Sequence, residues 1–146
     1  MDYASLKQAA RTLLEEEGIK SAKITIAIVT DEHIHRLNRQ FLQHDEPTDV
    51  LTFPYSKGTT PHLEGEIVIS YETAQHEAAE RGHATATEVI LYVIHGCLHL
   101  CGYDDTSPEA ATAMRQRERH YLLRLGYPDI THPTANAIEQ ASPSTS

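Results

Sequence analysis

The most constraining stretch of this chain runs from Thr85 to about Cys101, an apolar segment containing TEVILYVIHGCLHLC with two imidazoles set into it. Its Val, Ile and Leu content would also suit a strand, but its length favours a helix. So apolar a helix belongs at the buried centre of a fold. His95 and His99 stand four residues apart on it, so at about 100° per residue both imidazoles share one face, one turn apart. Buried imidazoles need hydrogen-bond partners, and one metal ion shared between them satisfies both. Cys97 and Cys101 each sit about 200° around the helix from the histidine two positions before. They read as core filler rather than ligands. A disulfide between them would be badly strained inside a helix.

The residues after the helix complete a pattern. Gly102 can end it in a left-handed turn, and Tyr103, Asp104 and Asp105 follow. Such a turn can return a carboxylate to the two imidazoles, and two His plus one carboxylate with an open fourth position is a known catalytic zinc set. His95, His99 and Asp105 are the candidate metal ligands, with Asp104 competing for third place. No general base is assigned. Zinc peptidases of the His-Glu-x-x-His type carry a glutamate where this chain has Gly96, which counts against that chemistry. Glu66 and Asp49 are candidates for supporting the site, weighed against plain strand-end carboxylates. His33, His35, His76, His83 and His120 fit solvated helix faces, as does the charge-alternating RQRER.

The remaining segments mix helices with a few strands. Leu6, Ala9, Ala10, Leu13 and Leu14 recur at helical spacing before Gly18. KITIAIV alternates as a strand, and Thr30 or Asp31 can cap a helix carrying Ile34, Leu37 and Phe41. His44 to Pro47 is a polar break, TDVLTFP a short strand, YSKGTTPHLEG a loop, and EIVIS a strand with Ile67 and Ile69 on one face. Ser70 can cap a helix to Arg81, and Ser107-Pro108-Glu109 opens a last helix running to Gly126. The expected architecture is α+β, a small mixed sheet packed against helices. Residues 1–130 form one expected domain, and 131–146 an aperiodic tail expected to be disordered.

Composition narrows the function classes. At 146 residues, 40% hydrophobic and 23% charged, the chain is the size and make-up of one globular domain. No apolar run approaches the roughly 20 residues of a membrane span, and the acidic, amphipathic start does not read as a secretory signal. A cytoplasmic protein is expected. The formal net charge of -9 repels nucleic acid at long range, so RNA contact would need a local site.

The string HGCLHLCGYDD, His95 to Asp105, resembles the signature of the YbeY family of bacterial metal-dependent endoribonucleases, His-Gly-x-Leu-His-Leu-x-Gly-Tyr-Asp-His. LNRQFLQHDEPTDVLTFP, from Leu37 to Pro54, is similar to the family's Leu-Asn … Thr-Asp-Val-Leu-Ser-Phe-Pro segment. GEIVIS and MRQRERHYLLRLG resemble its Gly-Asp-Ile strand and its terminal helix. The resemblance implies a small mixed sheet flanked by helices, with a metal-binding helix like that of zinc peptidases. It implies one zinc ion on three side chains, cleavage of single-stranded RNA, maturation of the 3′ end of small-subunit ribosomal RNA, and ribosome quality control in the cytoplasm. Ribosomal RNA, the small ribosomal subunit and its assembly proteins are the implied partners.

Two positions depart from the family pattern. Asp105 stands where the family has its third histidine; a carboxylate can still bind zinc, but it lowers the net charge of the site and widens the choice of metal. Leu42 stands where many members have an arginine, which removes a guanidinium suited to phosphate. Arg36, Arg39 and Lys57 are candidate replacements. The competing reading is a non-catalytic, metal-containing ribosome-assembly factor; a zinc peptidase ranks third.

Overall fold

A computed structural model describes residues 2–42, 48–56 and 62–131, without the side chain of Leu42. The elements run α1 (Tyr3–Glu16), β1 (Ser21–Val29), α2 (Asp31–Leu42), β2 (Val50–Pro54), β3 (His62–Ser70), α3 (Tyr71–Arg81), α4 (Thr85–Leu100) and α5 (Pro108–Arg124). The strands form one mixed sheet in the order β1-β3-β2, with β1 parallel and β2 antiparallel to β3. This is the expected α+β architecture. The expected polar break at His44–Pro47, Lys57, and the tail beyond Thr131 lie outside the described residues.

Several predicted caps are in place. Ser70 Oγ accepts from Thr73 N at 3.2 Å and Ser107 Oγ from Ala110 N at 3.1 Å, so both helices start where their hydroxyls replace a missing turn. Thr30 Oγ1 accepts from His33 N at 3.1 Å at the start of α2. Asp31 does other work: its carboxylate takes the hydroxyls of Ser70 and Thr73, pinning α2 to the start of α3.

One stretch differs from expectation. The loop read from YSKGTTPHLEG is shorter, because β3 begins at His62 and pairs with β1 from Ser21 onward. The backbone of Ser21–Lys23 needs ladder partners, and HLEG supplies them despite its glycine. Gly65 is tolerated because an added Cβ there would lie 2.7 Å from Leu100 Cδ2, at the end of α4.

The sheet divides the interior. Ile67, Ile69 and Val50 join the main core with α1, α3, α4 and α5, whereas Val68 and Leu51 face Ile34 of α2. Helix α4 is the hub and packs against α1, α3, α5, β2 and β3. Twelve of its residues, from Thr87 through Leu98, are buried, and each large apolar side chain among them contributes roughly 1.5–3 kcal/mol. Gly96 faces the sheet, where an added Cβ would fall 2.9 Å from Ile67 Cγ2.

Glu17, just past α1, ties the periphery to this hub. It accepts from Arg117 Nη2 at 2.6 Å, Tyr121 Oη at 2.5 Å and Tyr103 Oη at 3.0 Å, so it joins α1, α5 and the turn after α4. Burial pushes its carboxyl up, but the bonds from Tyr121, Arg117 and Tyr103 outweigh this and hold it below the usual range. A depressed carboxyl stabilises the fold above its unfolded pKa, and that contribution is lost as pH falls through the lower folded value. Glu17→Gln should therefore cost about 1–3 kcal/mol at pH 7. The penalty should shrink below about pH 4, where the carboxyl of the unfolded chain is itself protonated; urea unfolding at both pH values reads it. Gly96→Val should destabilise by about 1–3 kcal/mol through overpacking against Ile67, read as a lower urea midpoint at unchanged slope.

Candidate metal centre

Helix α4 ends in a way that decides the geometry. Gly102, at φ 106, lets Gly102 N bond His99 O at 3.0 Å and Tyr103 N bond Leu98 O at 3.0 Å, a Schellman stop. The chain then reverses, and the Tyr103 carbonyl arrives 3.1 Å from His99 Nδ1. A carbonyl only accepts, so His99 donates from Nδ1 and keeps a lone pair on Nε2. His95 Nδ1 lies 2.6 Å from Glu118 Oε2 on α5, which turns its Nε2 the other way. The two Nε2 atoms approach to 3.0 Å.

Nitrogens this close are bridged either by a proton, as an N–H···N hydrogen bond, or by a metal ion. A metal ion fits the spacing: bonds of about 2.05 Å at a tetrahedral angle set two nitrogens about 3.3 Å apart, close to what is seen. Asp105 offers the third donor, and the three ligand atoms all lie within 4.8 Å of one another. His95 is buried, His99 and Asp105 are half-buried, and the donor set fits a divalent cation.

The electrostatics follow from burial and neighbours. Burial pushes His95 down, but the bond and charge of Glu118, with Asp49 nearby, hold it above its ordinary value. Burial and then the charge of His95 push His99 down to about 4. Glu118 is itself 1% exposed. Burial raises it, while His95 and Arg115 more than offset this and keep it low. Behind His95 lies a cavity of about 70 Å³, lined in part by Asp49, Glu88, Tyr92, Arg115 and Glu118.

A model of the family described as Endoribonuclease YbeY matches residues 2–126. The chain belongs to the YbeY family. It is 46% identical over 138 residues to an Endoribonuclease YbeY of Rhodopirellula baltica, covering 93% of this chain and 69% of that protein. It is 42% identical to one from Chlorobium phaeovibrioides, over 84% of this chain and 82% of the relative. The solution structure of a Thermotoga maritima protein superposes with a TM-score of 0.63 at 30% identity, over 82% of this chain and 78% of the other. These YbeY relatives are named endoribonucleases, which supports a nuclease among the hydrolases.

Against this family background the predicted residues sort clearly. His95, His99 and Asp105 are brought together. Asp104 is exposed and turns to Thr106, accepting from its N at 3.2 Å and its Oγ1 at 3.0 Å. Cys97 is fully buried in the core and its thiol is pushed far up by burial; Cys101 is half-buried and pushed up to about 11. Glu66 is on the wrong side of the sheet: it accepts from Tyr55 Oη at 2.9 Å beside Val68, facing α2. Period-two alternation places it opposite Ile67. Asp49 does reach the cavity beside His95, while its Oδ1 accepts from Val50 N at 2.7 Å. Arg36 and Arg39 belong to α2, across the sheet from His95, and Leu42 has no described side chain.

Two expectations of solvated surface are overturned. In RQRER, Arg115 Nη1 bonds both Glu118 oxygens at 2.8 and 3.0 Å, and Arg117 bonds Glu17. Glu118 was legible in principle, since it falls in one helical stripe with Met114, Tyr121 and Leu122, all buried. Alternating charge hid that stripe. His83 is also not solvated: its side chain is 12% exposed and pairs with the buried Glu88, which Arg81 holds at 3.2 Å.

This geometry makes a specific prediction for metal uptake. His99→Ala and Asp105→Ala should each lower zinc affinity, the first by on the order of 100-fold or more, beyond what changes outside the ligand set typically cost. Cys101→Ser should leave it unchanged. Isothermal titration of the three variants checks this.

Proposed function

We propose that residues 1–130 act as one YbeY-like domain, a zinc-dependent endoribonuclease cutting single-stranded RNA. His95, His99 and Asp105 would hold one Zn²⁺. The observation that carries the reading is the 3.0 Å approach of the two Nε2 atoms, each with its Nδ1 committed elsewhere. Bound zinc supplies a Lewis acid and a water of lowered pKa, suited to phosphodiester hydrolysis.

The chain's own residues supply orientation. Tyr103 O and Glu118 fix the two imidazoles, and Gly102 sets the turn that carries Asp105. The place of the peptidase glutamate is filled by Gly96, which packs on Ile67, so a carboxylate there would meet the sheet rather than substrate. That favours a nuclease over a zinc peptidase. The nucleophile is then either water or the 2′-hydroxyl of the RNA itself, which needs no activated water.

The wider role follows the family: maturation of the 3′ end of small-subunit ribosomal RNA and ribosome quality control in the cytoplasm, with assembly proteins as partners. No helix among the described residues is long and apolar enough to cross a membrane. The net charge of -9 favours recruitment by protein contact over bulk attraction to RNA. The same charge, together with Leu42 in place of the family's arginine, favours the second reading, a metal-containing assembly factor that does not cut.

Incubating zinc-loaded protein with single-stranded RNA separates the two. Cleavage should occur and should fall on the order of 100-fold or more in His99→Ala. His76→Ala, whose exposed ring lies 3.6 Å from Glu80, should leave it intact. Uncut RNA at full zinc occupancy would favour the assembly factor instead.

A further inference from the structure

We infer that Glu118 and Arg115 form a positioning pair that sets the metal affinity of His95 from the adjacent helix, an inference that rests on the metal-centre reading above. Glu118 lies on α5, 23 residues from His95 in sequence, yet its Oε2 is 2.6 Å from His95 Nδ1 and its side chain is 2% exposed. A bare carboxylate buried to that degree would be costly, and here two cationic or donor groups compensate it. Arg115 Nη1 spans both oxygens, and its own side chain is 18% exposed.

The direction of the His95–Glu118 bond matters to the site. If the carboxylate accepts, His95 carries its proton on Nδ1 and presents a lone pair at Nε2, facing His99. A neutral partner able to donate to Nδ1 would reverse this and place the proton on Nε2, where it blocks coordination. The guanidinium of Arg115 favours the acceptor form, because its charge is complementary to a carboxylate and to nothing else within the pair. An acceptor of full negative charge also makes the imidazole a stronger donor to a cation. Arg115 therefore acts on a cation it does not touch, through Glu118 and then through the imidazole.

The arrangement is asymmetric in a telling way. His99 relies on a neutral backbone carbonyl at 3.1 Å, whereas His95 has a charged, clamped partner at 2.6 Å. His95 is thus the stronger of the two imidazole donors. Among the described residues it is also the more buried one, where a partner's charge is least screened.

The test uses the full chain and cobalt, whose visible absorption reports coordination, with zinc competition for affinity. Glu118→Gln keeps the size but loses the charge, and should weaken cobalt binding about 10-fold, within the range for such partners. Arg115→Met should weaken it by a smaller factor, about 3–10-fold, and Arg115→Lys should restore most of the loss because the charge returns. Since each single change leaves an unbalanced charge, Arg115→Met/Glu118→Gln removes both. It should fold as the wild type does by thermal melting without metal, yet still bind cobalt about 10-fold more weakly. Affinities within twofold of wild type for both Glu118→Gln and the double variant, in folded protein, would overturn the inference while leaving the metal centre standing. A wild-type chain that took up no cobalt or zinc would remove both readings, and metal uptake without RNA cleavage would remove only the nuclease.

Discussion

Burial of α4 on all sides is the constraint from which the rest of this structure follows. A helix that is apolar around its circumference has no face to give to solvent, so other elements must enclose it, and α1, α3, α5, β2 and β3 do. Close seating on the sheet depends on Gly96, where Ile67 occupies the space a side chain would need. The two histidines are carried into the interior by this same helix. Polar groups brought so deep must be matched, and the matching groups come from the ends and neighbours of α4 rather than from α4 itself.

Each match comes from a different part of the chain. The Schellman turn at Gly102 supplies a carbonyl to His99 and swings Asp105 alongside. Helix α5 supplies Glu118 to His95, and Arg115 one turn earlier balances its charge. Glu17 holds α5 and Tyr103 to the end of α1, so the turn and the helix that frame the imidazoles share one anchor. Local protein geometry and the electrostatics of the centre are thereby coupled: a shift of α5 would loosen Glu118 and Arg117 together.

The sheet acts as a partition. Its α4 face belongs to the main core and the candidate centre; its α2 face carries Glu66 and Phe53, which with Tyr55 just past β2 and Phe41 of α2 line a groove of about 330 Å³. Residues that look adjacent in sequence, Glu66 and Ile67, therefore serve opposite sides. Arg36 and Arg39, the described candidates to replace the arginine that many members carry at the position of Leu42, are likewise on the far side. The positive charge that does stand beside His95 is Arg115, and it is engaged by a carboxylate.

The sequence by itself determined what is local. Helical period, hydroxyl caps at Ser70 and Ser107, the glycine stop at Gly102 and the spacing of His95 and His99 all depend on a few neighbouring residues, and all were readable. The long signature from His95 to Asp105 also carried the family. Only the tertiary structure decided what depends on packing between distant segments. Strand β3 reaches back to His62 because β1 needs ladder partners there, which composition does not record. Glu118 was masked by alternating charge, since whether a carboxylate on an amphipathic helix meets water or an imidazole depends on what packs against it. Glu66 faces α2 because period two sets it opposite Ile67, whereas Asp49 precedes β2, escapes that alternation and so lines the cavity beside His95.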